Sequence, residues 1–144
     1  MSAAIYADTS ALAKWYLPEA GSEEVEAFLR GRETVSISRL GVVEMHCLLN
    51  RRTRLGQISA RHQARIVERF DNHIAEGYVT VHPLEDRHAR TASALVARLK
   101  NLGLRTLDAI HLAAAQDARC TALMTADQTM AQAGEELKMT VHRF

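Results

Sequence analysis

The sequence predicts a three-layer α/β/α fold, in which helices cover both faces of a central, mostly parallel sheet of four or five strands. Short apolar runs alternate with segments of helical spacing along the whole chain. No Asn-Gly or Asp-Gly pair, the strongest signal for a two-residue hairpin, occurs anywhere. Parallel strands joined by helical crossovers account for both observations, because such a sheet is buried on both faces and needs no hairpins.

In the first half of the chain, proline, glycine and charge mark the ends of the predicted elements. An apolar run over 3–7 predicts a strand, and the helical spacing over 10–17 stops at Pro18. Acidic residues begin a helix over Ser22–Leu29, where they suit the positive end of the helix dipole. A second strand and two consecutive helices follow, and they are predicted over Val35–Ser38, 40–54 and 59–77.

The second half continues the alternation. The pattern over 78–82 predicts a third strand, and Pro83 precedes a long helix over 85–102 that Gly103 closes. The helix predicted over 106–118 is apolar on nearly every side, so we expect it to be buried. A strand, a helix and a last strand complete the chain, and they are predicted over Ala122–Thr125, 128–137 and 139–142.

Length and composition predict one domain over residues 1–144. The chain is 47% hydrophobic and 24% charged, which is average for globular proteins of this size. Cys47 and Cys120 are too few for a disulfide framework, and no Cys or His spacing suggests zinc. No apolar stretch approaches about 18 residues and no leader pattern begins the chain, so we expect a cytoplasmic protein without a membrane segment.

Four acidic residues are expected at the carboxyl edge of the sheet, where open α/β sheets bind ligands. Asp8 and Asp127 follow the first and fourth strands, and Asp108 lies in the first turn of the apolar helix. Glu44 interrupts an apolar face made of Leu40, Val43, Cys47 and Leu48. Carboxylates that are brought together raise one another's pKa, so a stable fold gathers them around cations. Oxygen ligands favour Mg²⁺ or Mn²⁺, and the expected chemistry is phosphoryl transfer or phosphodiester hydrolysis.

Each acid also has an ordinary structural explanation. The three aspartates fall at helix N-termini, where Asp is favoured as a cap, and Glu44 could reach a rim or pair with an arginine. A nucleotide-binding site is not predicted, because neither G-x-G-x-x-G nor a P-loop motif is present. A phosphatase with Asp8 as nucleophile is disfavoured, because Ser10 stands where the second acid is expected.

Four short motifs span the chain: YADTSAL at 6–12, VE at 43–44, LDAIHLA at 107–113 and TAD at 125–127. With these motifs in this order, the chain resembles the PIN-domain ribonucleases, and most closely the VapC toxins of bacterial toxin–antitoxin pairs. The resemblance implies an endoribonuclease that binds Mg²⁺ or Mn²⁺ through Asp8, Glu44, Asp108 and Asp127. It also implies that Thr9 and Thr125 support these acids. We expect His111 to pack beside the site, because no spacing connects it to a nucleophile.

The resemblance further implies a homodimer, a small cognate antitoxin that covers the acidic pocket, and a structured RNA target such as tRNA or ribosomal RNA. The sequence departs from the family's pattern after Asp127, where Gln128, Thr129 and Met130 replace the common basic and bulky apolar residues. A phosphate contact at that point is therefore not carried over. The alternative is a catalytically silent module that keeps the fold to bind RNA or protein.

The charge pattern bears on RNA binding. The net charge is +1, but without the four proposed metal ligands 13 acids face 18 basic residues, which leaves +5. The segment 51–69 is the most basic, with a local charge of +5 from Arg51, Arg52, Arg54, Arg61, Arg65 and Arg69 against Glu68. We treat Arg51 and Arg52 as candidate RNA contacts. The other interpretation of the segment is a solvated helix surface or a protein contact.

Overall fold

The computed structural model describes residues 3–144 and confirms the three-layer α/β/α fold. Strands and helices alternate as the periodicity predicts, with two helices in succession at three points of the chain. In chain order the elements are β1 (Ile5–Ala7), α1 (Thr9–Tyr16), α2 (Ser22–Leu29), β2 (Val35–Ser38), α3 (Arg39–Arg54), α4 (Ala60–Ala75), β3 (Val79–His82), α5 (Asp86–Arg98), α6 (Thr106–Asp117), β4 (Ala122–Thr125), α7 (Gln128–Glu136) and β5 (Thr140–Arg143).

The sheet has five strands in the order β3-β2-β1-β4-β5, and every pairing is parallel. In the central strand β1, Tyr6 lies opposite Ser36 of β2 on one side and Leu123 of β4 on the other. The chain builds outward from β1 through β2 to β3 and then returns to place β4 on the other side of β1. The direction of winding therefore changes between β1 and β4, and ligands of open α/β sheets bind at such a point.

Two buried clusters cover the two faces of the sheet. Residues alternate between faces along a strand, so Tyr6 and Leu123 belong to one cluster while Ile5 and Met124 belong to the other. The first cluster packs helices α5, α6 and α7 on the sheet, and the second packs α1, α2, α3 and α4 on it. Because both faces are covered, only the strand ends are left to form a site.

Two expectations from the sequence differ from the structure. The helix predicted over 85–102 ends at Arg98, although Leu99 and Leu102 still pack in the core through the following turns. Apolar periodicity therefore continues past the end of the helix. The apolar face assigned to α3 was also wrong, because Val43 is 54% exposed. The helix buries a neighbouring row instead, which consists of Gly41, Met45 and Leu49.

Neither cysteine in the described chain forms a disulfide: Cys47 is exposed and Cys120 is buried. Burial raises the pKa of the Cys120 thiol. Among the helices of residues 3–144, none combines the length and apolar character that crossing a bilayer requires.

Candidate active site

Asp8 lies at the carboxyl end of β1 and is the N-cap residue of α1. Its Oδ1 accepts hydrogen bonds from the Ser10 hydroxyl at 2.6 Å and the Ala11 N–H at 3.1 Å, and its Oδ2 accepts one from the Thr125 hydroxyl at 2.5 Å. The residue is only 4% exposed. Burial raises the pKa of Asp8 above its usual range, although these donors oppose the shift. A cation beside the buried carboxylate would therefore stabilise its ionised form.

Asp127 follows β4 and lies at the same edge of the sheet as Asp8. Its Oδ1 accepts the Met130 N–H at 2.8 Å and caps α7, while its own N–H donates to Thr125 Oγ1 at 3.0 Å. The Ala126 N–H donates to Ser10 Oγ at 2.9 Å, which ties the end of β4 to the end of β1. Asp127 Oδ2 is not used by the cap and lies 3.9 Å from Arg105 Nη2.

Asp108 lies in the first turn of α6, as the sequence predicts, and its side chain is only 15% exposed. Its Oδ2 accepts the backbone N–H of Arg105 at 3.3 Å and lies 3.7 Å from Arg105 Nε. The Arg105 guanidinium thus contacts the carboxylates of both Asp108 and Asp127. Asp108 and Glu44 also line one open cavity, together with Leu104, Arg105, Thr106 and Leu107.

Glu44 is held by hydrogen bonds from two other elements, α1 and α6. Its Oε1 accepts a hydrogen bond from the Thr9 hydroxyl at 2.9 Å and a second, very short one from His111 Nε2. The Tyr6 hydroxyl lies 2.7 Å from His111 Nδ1. Burial raises the pKa of Tyr6, so the phenol stays protonated. The contact of His111 Nε2 with Glu44 Oε1 requires a proton on Nε2, which donates to the carboxylate.

The electrostatics of Glu44 differ from those of Asp8. Burial acts to raise the pKa of Glu44, but the hydrogen bond and charge of His111 and the Thr9 hydroxyl outweigh it, so the pKa lies below its usual range. Glu44 is therefore an ionised, half-buried carboxylate at neutral pH. Of these two acids, Asp8 therefore gains more from a neighbouring cation.

The structure brings the four predicted acids into one neighbourhood without closing a ligand set. Thr125 joins Asp8 to Asp127, Arg105 joins Asp127 to Asp108, and one cavity is shared by Asp108 and Glu44. Within residues 3–144, however, no three side chains of His, Cys, Asp or Glu converge closely enough to hold a metal ion. Metal binding by the four acids therefore stays a prediction.

The structure also confirms the ordinary structural explanation for the three aspartates, which is that they bond the N-terminal ends of helices. Asp8 and Asp127 cap α1 and α7, and Asp108 accepts the N–H of Arg105 before α6. In Asp127 the two functions use different oxygens, since Oδ1 caps the helix and Oδ2 faces Arg105. A cap at a strand end therefore leaves a second oxygen available for a ligand.

Several contacts of this neighbourhood were not predicted from the sequence. Ser10 bridges the two strand ends, Tyr6 and His111 form a buried chain to Glu44, and Arg105 contacts two acids. His111 packs beside the site as expected, and its hydrogen bond to Glu44 is additional. One signal was available, because His111 lies three residues after Asp108 on the same side of α6.

The candidate RNA contacts lie away from the acids. Arg51 and Arg52 are seven and eight residues beyond Glu44 on α3, about 10 to 12 Å along the helix axis. Arg51 is exposed, whereas Arg52 pairs with Glu19 at 3.1 Å. Both line a shallow cavity with Leu48, Leu55 and Gln57.

The donor chemistry of the neighbourhood fits a hard divalent cation. Its side-chain donors are carboxylate and hydroxyl oxygens, which are the ligands that Mg²⁺ and Mn²⁺ prefer, and no sulfur ligand lies among the contacts described above. A positive group, the Arg105 guanidinium, already lies within 4 Å of two of the carboxylates. The space between Asp108 and Asp127 therefore accommodates positive charge.

These features define an α/β protein with an acidic site at the switch point of a parallel sheet. The family model of the PIN domain matches residues 5–136. The chain belongs to the PIN domain family. No curated protein matches it in sequence at a significant level.

Solved structures share the fold at low sequence identity. VapC20 of Mycobacterium tuberculosis, described as a toxin that cleaves the Sarcin-Ricin loop, superimposes with a TM-score of 0.72 at 19% identity, covering 91% of this chain and 95% of that one. FitAcB from Neisseria gonorrhoeae gives 0.73 at 18%, covering 96% of both chains. VapBC2 from Rickettsia felis, bound to a DNA fragment from its promoter, gives 0.65 at 12%, covering 97% of this chain and 98% of that one. At these identities the likeness establishes the fold.

Proposed function

We propose that this protein is a Mg²⁺- or Mn²⁺-dependent endoribonuclease and the toxin of a toxin–antitoxin pair, formed by a single PIN-like domain over residues 1–144. The observation that carries the proposal is the meeting of Asp8 and Asp127 at the switch point of the sheet, with Asp108 and Glu44 beside them. Membership of the PIN domain family supports the nuclease activity. The similar fold of VapC20, described as a toxin that cleaves the Sarcin-Ricin loop, supports the toxin role.

We expect one or two metal ions to be held by four carboxylates, those of Asp8, Glu44, Asp108 and Asp127. Thr9 and Thr125 orient these carboxylates. A bound divalent cation would lower the pKa of a water molecule and offset charge on the scissile phosphate. The chain's own hydrogen bonds fix two of the carboxylates beforehand: Thr125 and Ser10 hold Asp8, and Thr9 and His111 hold Glu44. Such partners orient ligands and tune their basicity, and metal sites depend on them strongly.

The metal-dependent activity is tested on mixed cellular RNA in a gel assay. We expect fragments in the presence of Mg²⁺ or Mn²⁺ and intact RNA in EDTA. The silent-module alternative has one observation in its favour, since no three potential ligands of residues 3–144 converge in the structure. Intact RNA from a protein that demonstrably binds Mn²⁺ would favour that alternative. Sequencing the new RNA ends after induction in cells identifies the target.

RNA binding requires positive charge around the acids. We propose that Arg51 and Arg52 contact phosphates, continued by an exposed row on α4 at helical spacing, which consists of Arg61, Arg65 and Arg69. If Arg51 and Arg52 each neutralise one phosphate of a single strand, replacing both by Ala lowers the salt slope of log Kd by about 1.4. The matched control replaces Arg90 and Arg98, two exposed arginines of α5, and leaves the slope unchanged. If the slope is unchanged when Arg51 and Arg52 are replaced, these two residues do not contact the RNA phosphates.

The toxin role predicts a cognate antitoxin, a homodimer and a cytoplasmic location. The similar structures include a toxin–antitoxin complex from Klebsiella pneumoniae, with a TM-score of 0.58 at 20% identity over 86% of both chains. We expect induction of the protein to arrest growth and Asp8→Asn to relieve the arrest. Light scattering on the purified protein tests the dimer. Normal growth at high levels of the active protein would contradict the toxin role.

A further inference from the structure

Arg105 occupies an unusual position among the arginines of the described chain. Its guanidinium contacts two of the four acids assigned to the metal, with Nε 3.7 Å from Asp108 Oδ2 and Nη2 3.9 Å from Asp127 Oδ2. These acids belong to different elements, since one opens α6 and the other caps α7. The side chain thus spans the gap between two parts of the acidic neighbourhood.

The ion pairs of Arg105 with the two acids are weak and can be broken easily. The Arg105 side chain is 79% exposed, so its ion pairs are screened by water, and pairs of this kind contribute little to stability. Asp108 and Asp127 are only 15% and 33% exposed, and among the described residues Arg105 is the only cationic side chain within 4 Å of either carboxylate. A guanidinium in this position partly neutralises the charge of both carboxylates. Little free energy is needed to break its contacts with them.

We propose that Arg105 is an internal counter-cation that competes with the divalent metal for Asp108 and Asp127. This inference rests on the proposed function, because it assumes that the metal uses these two carboxylates. In the metal-free protein the guanidinium lies between them and limits their repulsion. When the metal binds, the exposed side chain swings away into solvent. The metal affinity of the site is therefore lower than the four acids alone would produce.

The first test measures Mn²⁺ binding by calorimetry on protein stripped of metal. If the guanidinium competes, Arg105→Gln binds Mn²⁺ about three- to tenfold more tightly than the wild type, because two weak ion pairs no longer have to be broken. Arg30→Gln removes the same charge from an equally exposed side chain with one weak ion pair, at the end of α2 and before the amino end of β2, and serves as the matched control. We expect its affinity to stay within about twofold of the wild type, since exposed charges at a distance are screened.

The second test follows the Arg105 Nε–H signal by NMR during a Mg²⁺ titration, with Arg105→Gln used to assign it. The signal shifts in the wild type, and it stays fixed in the double variant Asp108→Asn, Asp127→Asn. Equal Mn²⁺ affinity in the wild type and Arg105→Gln, with an unmoved signal, overturns the inference and leaves the metal proposal standing. If neither protein binds Mn²⁺, both the inference and the proposed metal site are overturned.

Discussion

The Thr125 hydroxyl donates a 2.5 Å hydrogen bond to Asp8 Oδ2 across the central pair of strands. Both residues are buried, at 0% and 4% exposure. The same hydroxyl accepts the N–H of Asp127 at 3.0 Å. One side chain of β4 therefore sets the positions of two acids that are 119 residues apart in the sequence.

Replacing Thr125 tests this role. Thr125→Val keeps the shape of the side chain but removes the hydroxyl, so Asp8 Oδ2 loses its buried donor. We expect a loss of about 1–3 kcal/mol in the free energy of unfolding and a 10- to 100-fold fall in RNA cleavage, roughly the effect of removing a ligand's supporting partner. Thr125→Ser retains the donor and should keep most of the activity. Full activity in Thr125→Val would remove the hydroxyl from the account.

The raised pKa of Asp8 predicts that the acid destabilises the metal-free fold. An acid whose pKa is raised by folding costs stability while it is ionised, and the cost disappears as the pH falls through its folded pKa. Asp8→Asn should therefore raise the Tm at pH 7 in EDTA, and the gain should shrink as the pH is lowered. Thermal scans between pH 7 and pH 5 measure this difference.

In Mg²⁺ we expect the same scans to give the opposite order of Tm, with the wild type above Asp8→Asn. A ligand that binds only the folded state raises its stability, so Mg²⁺ should increase the Tm of the wild type and leave that of Asp8→Asn unchanged. A wild-type Tm that ignores both Mg²⁺ and Mn²⁺ would contradict a metal at Asp8.

A different cluster controls stability in acid. Asp117 at the end of α6 accepts hydrogen bonds from Arg87 at 2.9 Å and His88 at 2.9 Å, and mainly the Arg87 bond lowers the pKa of Asp117 to about 2. An acid with a lowered pKa stabilises the fold above its ordinary pKa, and this contribution is lost as the pH falls toward 2. We expect Asp117→Asn to lower the Tm at pH 7 and to differ less from the wild type at pH 3. Asp71→Asn, an exposed control on α4, should change the Tm little at either pH.

Two helical glycines predict opposite effects of alanine. A Cβ at Gly134 of α7 would lie 2.8 Å from Val141 Cγ2 and 2.9 Å from Leu123 Cδ2, so these two side chains of the sheet would have to shift. A Cβ at Gly41 of α3 would meet its nearest atom at an ordinary 3.6 Å. In urea unfolding, Gly134→Ala should cost about 1–3 kcal/mol, while Gly41→Ala should add about 0.5–1 kcal/mol through helix propensity. A stabilised Gly134→Ala would show that the contact is relieved without cost.

Local patterns in the sequence were sufficient to predict the layers and the acids at the strand ends. Asp8 follows a buried run directly and Asp127 follows one after Ala126, so chain order alone placed them at the carboxyl edge. Glu44 was singled out through an apolar face of α3 that proved exposed at Val43. The helix has apolar residues on more than one side, and only packing against the sheet decides which row is buried.

The supporting contacts could not be predicted, because they join distant parts of the chain. Tyr6 and His111 are 105 residues apart, and Ser10 meets Ala126 across the switch point. The strand order that creates this meeting arises from how the helices pack on the sheet. Arg105 carries no local signal of its contact with Asp127, since that contact depends on how α6 and α7 lie beside each other.

The proposed function requires that the acidic neighbourhood cleaves RNA with a divalent metal. The most direct measurement is the initial rate of RNA cleavage by the wild type, Asp8→Asn and Asp71→Asn, each in Mg²⁺, in Mn²⁺ and in EDTA. Asp71→Asn is a matched control, because it removes the same charge from an exposed position on α4. We expect metal-dependent cleavage by the wild type and Asp71→Asn, and only background cleavage by a folded Asp8→Asn. Wild-type rates in Asp8→Asn, or cleavage that persists in EDTA, would contradict the proposed function.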